Sequence, residues 1–121
     1  MNRTRMLAAA GLAALATGVF ASSAGAAARG GTLVATVADP LKISLTQGGK
    51  KVTKLKAGTY TVTVKDLASD HNFRLKGPGL NKTTSVSGKG TTTWKVTLKK
   101  GTYTYVCDPH AAFMKGSFTV S

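Results

Sequence analysis

Glutamate is absent from this sequence and aspartate is scarce: Asp39, Asp66, Asp70 and Asp108 are the whole acidic complement. Against them stand 17 Lys and Arg, giving a formal charge of +13. Apolar residues still make up 42% of the 121 positions, enough for a core, so the chain is not a disordered polycation. There is one cysteine, Cys107, which excludes an intramolecular disulfide. There are two histidines, His71 and His110, which excludes any site needing many imidazoles, such as a multicopper cluster or a multi-zinc centre.

The first 28 residues read as an address. Arg3 and Arg5 precede an apolar stretch from Met6 to Phe20, and small residues follow from Ala21 to Ala28. A charged start, a short apolar run and an Ala-x-Ala site describe a secretory signal peptide, with cleavage expected after Ala26 or Ala28. The apolar run is about 15 residues, short of the roughly 20 that span a bilayer, and no second run follows. The two arginines are not adjacent, which disfavours a twin-arginine signal, and no Cys near the cleavage point could carry a lipid. The expectation is an exported protein, in a periplasm or an outer envelope, with residues 29–121 forming one domain that spans no membrane. Losing Arg3 and Arg5 leaves a net charge of about +11. An unpaired thiol in such a chain is buried, bound to a partner chain or bound to a metal.

Beyond the signal, apolar residues alternate with polar ones, the period of a strand with one face buried. Tyr60, Val62 and Val64 share one face, and Trp94, Val96 and Leu98 another. Leu41, Ile43 and Leu45 alternate with Lys42, Ser44 and Thr46, and Leu33, Ala35 and Val37 suggest an earlier strand. His71, Phe73 and Leu75 form a further set, as do Tyr103, Tyr105 and Cys107, and then Phe118 and Val120. Turn signals separate the runs: Asp39-Pro40, Gly48-Gly49, Ala57-Gly58, Gly77-Pro78-Gly79, Gly88-Lys89-Gly90 and Lys100-Gly101. Seven or eight short strands in about 95 residues predict an all-β, two-sheet antiparallel sandwich. Ala27 to Gly31 reads as a flexible N-terminus, and Trp94, Tyr103 and Tyr105 read as core.

The last strand-to-strand loop carries the chemistry. Cys107-Asp108-Pro109-His110-Ala111-Ala112-Phe113-Met114 is Cys-x2-His-x3-Met, between one strand and the next. One short loop thus offers a thiolate, an imidazole and a thioether, and a sandwich can place His71 at the same end. Thiolate and thioether suit Cu(I), imidazole suits both copper oxidation states, and a Cys, two His and a weak Met are the donors of a blue-copper centre. The bland alternatives are a buried structural thiol for Cys107, a turn cap for His71 and core packing for Met114.

In these residues the sequence resembles the cupredoxins, small copper proteins of the plastocyanin, pseudoazurin, amicyanin and azurin type. The resemblance spans about residues 31–121 and is carried by Asp70-His71-Asn72-Phe73, by Tyr105-Val106-Cys107-Asp108-Pro109-His110, and by Met114-Lys115-Gly116-Ser117-Phe118-Thr119-Val120. It implies a Greek-key β-sandwich holding one copper ion, Cu(I) or Cu(II), at one end. His71, Cys107 and His110 would be the strong ligands and Met114 the axial one. Asn72 would tie its loop to the backbone beside the Cys. Pro109, His110, Ala111, Ala112 and Phe113 would form the patch through which an electron leaves. The loop departs from the family in having three residues between His110 and Met114, one fewer than plastocyanin-like loops and one more than amicyanin-like loops.

The function expected is single-electron transfer between redox partners, without catalysis, because the chain's own ligands fill the coordination sphere. The alternatives are copper delivery in the envelope without redox cycling, and a metal-free sandwich binding anionic polymers. Lysines are spread along the chain, densest at Lys50, Lys51, Lys54 and Lys56. Their long-range field favours transient acidic redox partners. No nucleic-acid motif is present, and a monomer is expected.

Overall fold

The computed structural model describes residues 29–121. The expected signal peptide and its cleavage point lie outside the described residues. Ten strands run in chain order: β1 (Arg29–Ala38), β2 (Lys42–Gln47), β3 (Lys50–Lys51), β4 (Lys54–Leu55), β5 (Gly58–Asp66), β6 (Arg74–Gly77), β7 (Leu80–Thr83), β8 (Gly90–Leu98), β9 (Gly101–Val106) and β10 (Lys115–Val120). The single helical turn among the described residues is a 3-10 turn at Asp108–His110.

The strands form two five-stranded sheets, ordered β3-β2-β1-β5-β8 and β4-β10-β9-β6-β7. The chain changes sheets at Val52 and Thr53. The Val52 amide donates to the Leu45 carbonyl of the first sheet, and the Thr119 amide to the Thr53 carbonyl from the second. Both inner faces follow the expected alternation. Tyr60, Val62, Val64, Trp94, Val96 and Leu98 meet Leu75, Tyr103, Tyr105, Phe118 and Val120 in one shared core. Thr93, Lys95 and Thr97 face outward.

Three details correct the sequence reading. The pairing is mixed: β1 runs parallel to β5, and β10 parallel to β4. A period of two is the same for both senses of pairing, so alternation could not distinguish them. Leu41 is exposed, because it falls in the Asp39-Pro40 turn before β2 begins. Gly30 and Gly31 are not a free end but part of β1, with Gly31 paired to Tyr60. Gly30 is required there, since a Cβ would meet the Tyr60 ring at about 2.0 Å.

Aromatic stacking closes the core near the end that matters. Phe73 stacks on Tyr105 at 5.6 Å between centroids, and Tyr103 on Phe118 at 5.3 Å. The first pair packs the segment before β6 against β9, on the side where His71 meets Cys107.

Candidate metal centre

Cys107 follows β9 directly, on the buried face set by Tyr103 and Tyr105. Pro109 cannot continue a strand ladder, and the chain turns there into the 3-10 turn. The loop satisfies its own backbone. The His110 amide donates to the Cys107 carbonyl at 3.0 Å, and the Met114 amide to the His110 carbonyl at 2.8 Å. The Cys107 amide donates to the Met114 carbonyl at 3.0 Å, closing the loop across its mouth. These bonds brace the loop with partners of its own backbone.

His71 reaches the same point from the segment between β5 and β6. Its Nδ1 lies 3.1 Å from Nδ1 of His110 and 3.7 Å from Sγ of Cys107. The third side of the triangle, Cys107 Sγ to His110 Nδ1, is 3.6 Å. A point equidistant from three atoms so spaced lies about 2.0 Å from each, the length of a bond from a transition metal to nitrogen and close to that to sulfur. The chain therefore holds two imidazoles and a thiol around a space the size of one ion. His71 and Cys107 are fully buried and His110 is half-buried. The donor set is the trigonal His2Cys arrangement that copper favours.

Met114 is fully buried in the same loop. Pro109, Ala111 and Ala112 are exposed around the half-buried His110, and Phe113 is 76% exposed. Asn72 sits where the two segments meet. Its Oδ1 accepts from the Asp108 amide at 2.7 Å, and its Nδ2 donates to Asp108 Oδ2 at 2.8 Å and to Thr83 Oγ1 at 3.0 Å.

Sequence reasoning missed two features. Asp108 carries no motif of its own, yet Arg74 grips its carboxylate with Nε at 2.9 Å and a second nitrogen at 3.0 Å. That guanidinium holds the Asp108 carboxyl below the usual carboxylate range, with Asn72 adding to the effect against partial burial. The outer nitrogen of His71 was also unassigned: Nε2 lies 3.0 Å from Asp39 Oδ1 and 3.1 Å from the Pro40 carbonyl. The available signal was scarcity. With four acids in the chain, Asp70 and Asp108 each adjoining a candidate ligand was informative, whereas Asp39 carried only a turn signal.

The comparisons agree with this geometry. Residues 39–121 match the family described as copper binding proteins, plastocyanin/azurin family. Among curated proteins none matches. Reduced rusticyanin solved at 1.9 Å is 25% identical with a TM-score of 0.54, over 74% of this chain and 78% of that one. A methionine-to-glutamine variant of rusticyanin at 1.5 Å is also 25% identical, with a TM-score of 0.56 over 74% and 76%. Rusticyanin from Thiobacillus ferrooxidans at 1.27 Å gives 25% and 0.52 over the same shares. A trigonal donor set at one end of a two-sheet sandwich, in a sequence that matches from Asp39 to Ser121, places the chain in the plastocyanin/azurin family of copper-binding proteins.

Proposed function

We propose that the chain is an exported blue-copper carrier that passes single electrons between redox partners. His71, Cys107 and His110 would hold the ion, with Met114 as a further, weaker donor. The observation that carries this reading is the 3.1, 3.6 and 3.7 Å triangle of two imidazole nitrogens and one sulfur. Copper bound there supplies a one-electron couple, and the chain's residues do the rest. The thiolate and the imidazoles suit both oxidation states, so a change of charge asks for little rearrangement. The self-bonded loop and the Asn72 bridge resist what movement remains. With Met114 as the fourth donor, the chain's own residues would fill the coordination sphere, which supports carriage over catalysis.

His110 is the port, because it is the ligand with an edge toward solvent. Pro109, Ala111, Ala112 and Phe113 make a small apolar rim suited to brief docking. The net positive charge draws acidic partners from a distance, and the expected N-terminal signal supports export to a periplasm or cell envelope.

Adding Cu(II) to the metal-free protein should produce an intense visible band from thiolate-to-copper charge transfer, and Cys107→Ser should abolish it. A colourless protein in excess Cu(II) would defeat the reading. Stopped-flow exchange with a one-electron donor should be fast. Slow exchange with ready loss of copper would point instead to copper delivery.

A further inference from the structure

His71 uses both ring nitrogens, and the outer one meets a carboxylate. Nε2 lies 3.0 Å from Asp39 Oδ1, 3.1 Å from the Pro40 carbonyl and 3.8 Å from Asp70 Oδ1. We propose that Asp39 is a positioning residue for the copper centre: its carboxylate, at ion-pair distance from the outer nitrogen of His71, draws on the Nε2 proton that the Pro40 carbonyl accepts and so favours Cu(II) over Cu(I). The proposal rests on the copper reading above.

With Nδ1 turned toward Cys107 and His110, the ring proton belongs on Nε2, which has one hydrogen to give. The Pro40 carbonyl accepts that hydrogen at 3.1 Å, and the equally near Asp39 carboxylate adds a charge that attracts it more strongly than a peptide dipole can. The bond fixes the tautomer and the ring plane and makes the imidazole a richer donor. A richer donor and a nearby negative charge both stabilise the more highly charged ion. The exposures suit the role. Asp39 is 68% exposed and stays hydrated, whereas His71 is fully buried, so a surface residue reaches a buried ligand. The turn is anchored where it needs to be: the Leu67 amide donates to the Val37 carbonyl at 2.9 Å, tying the end of β1 to the segment that leads to His71. Asp70, beyond hydrogen-bond reach at 3.8 Å, contributes charge only.

The test compares Asp39→Asn with Asp70→Asn in the full chain. Asparagine keeps the shape and an oxygen acceptor but removes the charge. A visible charge-transfer band in the unmodified protein first establishes the copper reading independently. Asp39→Asn should keep that band, raise the reduction potential and raise the ratio of Cu(I) to Cu(II) affinity by roughly 10-fold. It should also move the Nε2–H resonance of His71 in the Cu(I) protein and in the copper-free protein, where no colour is needed. Asp39→Glu should restore part of both effects. Asp70→Asn should give a smaller shift in potential and leave the resonance in place. An unmoved resonance in Asp39→Asn would leave that proton to Pro40 alone and overturn the proposal. Equal potential shifts in the two variants would overturn it too, since charge alone would then be acting.

Discussion

Asp66 ends β5 with 4% of its surface exposed. Its Oδ1 accepts from the Ala68 amide at 3.2 Å, but Oδ2 has no hydrogen-bond partner among the described residues. Burial pushes its carboxyl above the usual range, against the Ala68 bond and the charges of His71 and Lys89, which pull it down. A raised value in the folded state means folding favours the protonated form. The carboxylate therefore costs stability at neutral pH, and the cost fades as pH falls through the raised value. Asp66→Asn should stabilise the protein by about 1 kcal/mol at pH 7, with the gain shrinking toward acid. Thermal unfolding at a series of pH values checks this, and a gain independent of pH would contradict it. Met114 gives the second prediction at this scale. Leucine conserves its volume, so Met114→Leu should cost under about 1.5 kcal/mol. The thiolate and imidazoles remain, so the visible band should persist, while loss of a neutral donor should raise the reduction potential. An unchanged potential would return Met114 to simple core packing.

Among the elements, the loop between β9 and β10 is the working part, and its rigidity comes from the segment before β6. Asn72 is 1% exposed and satisfies the Asp108 amide, while Arg74 holds the Asp108 carboxylate. Asn72→Ala leaves that amide without its partner and should cost about 2 kcal/mol. It should also slow electron exchange, because the loop then moves more between oxidation states. Denaturant unfolding and self-exchange kinetics read the two effects separately. A second control lies in the paired strands. Gly116 faces Tyr105 across β9 and β10, and a Cβ on it would lie about 2.2 Å from the Tyr105 ring. Tyr105 cannot retreat without leaving its stack on Phe73, two residues from His71. Gly116→Ala should therefore cost about 1–3 kcal/mol and weaken copper retention as well.

For the molecule as a whole, the carboxylates are few and clustered. The four carboxylates gather at the metal end: Asp39 and Asp70 near His71 Nε2, Asp108 on Arg74 and Asn72, and Asp66 within the field of His71. The lysines occupy outward faces and turns all round, with Lys89 near Asp66 and Lys115 next to Met114. At low ionic strength the excess of cations sets the field away from the surface, and close to His110 the carboxylates temper it. Electron exchange with an acidic partner should slow as salt rises from about 0.01 M to about 0.5 M, and exchange with a cationic reagent should not. Stopped-flow rates against ionic strength measure both, and a rate with the acidic partner that is indifferent to salt would remove the steering argument.

The sequence alone determined what is local. Alternation depends on which face of a strand meets the core, so the inward residues of β5, β8, β9 and β10 were legible from period two. Cys107, His110 and Met114 were legible together because one short loop carries them, and their proximity needs no folding argument. Tertiary structure decided the rest. Alternation carries no sign of strand direction, so the parallel pairings of β1 with β5 and β10 with β4 emerge only when the sheets assemble. Leu41 obeys the strand pattern yet faces solvent, because the turn ends one residue later than the pattern suggests. Asp39 lies 32 positions from His71 and shares no motif with it. Their 3.0 Å contact exists because β1 delivers the turn to the end of the sandwich where the imidazole waits, a meeting set by chain topology and not by neighbouring residues.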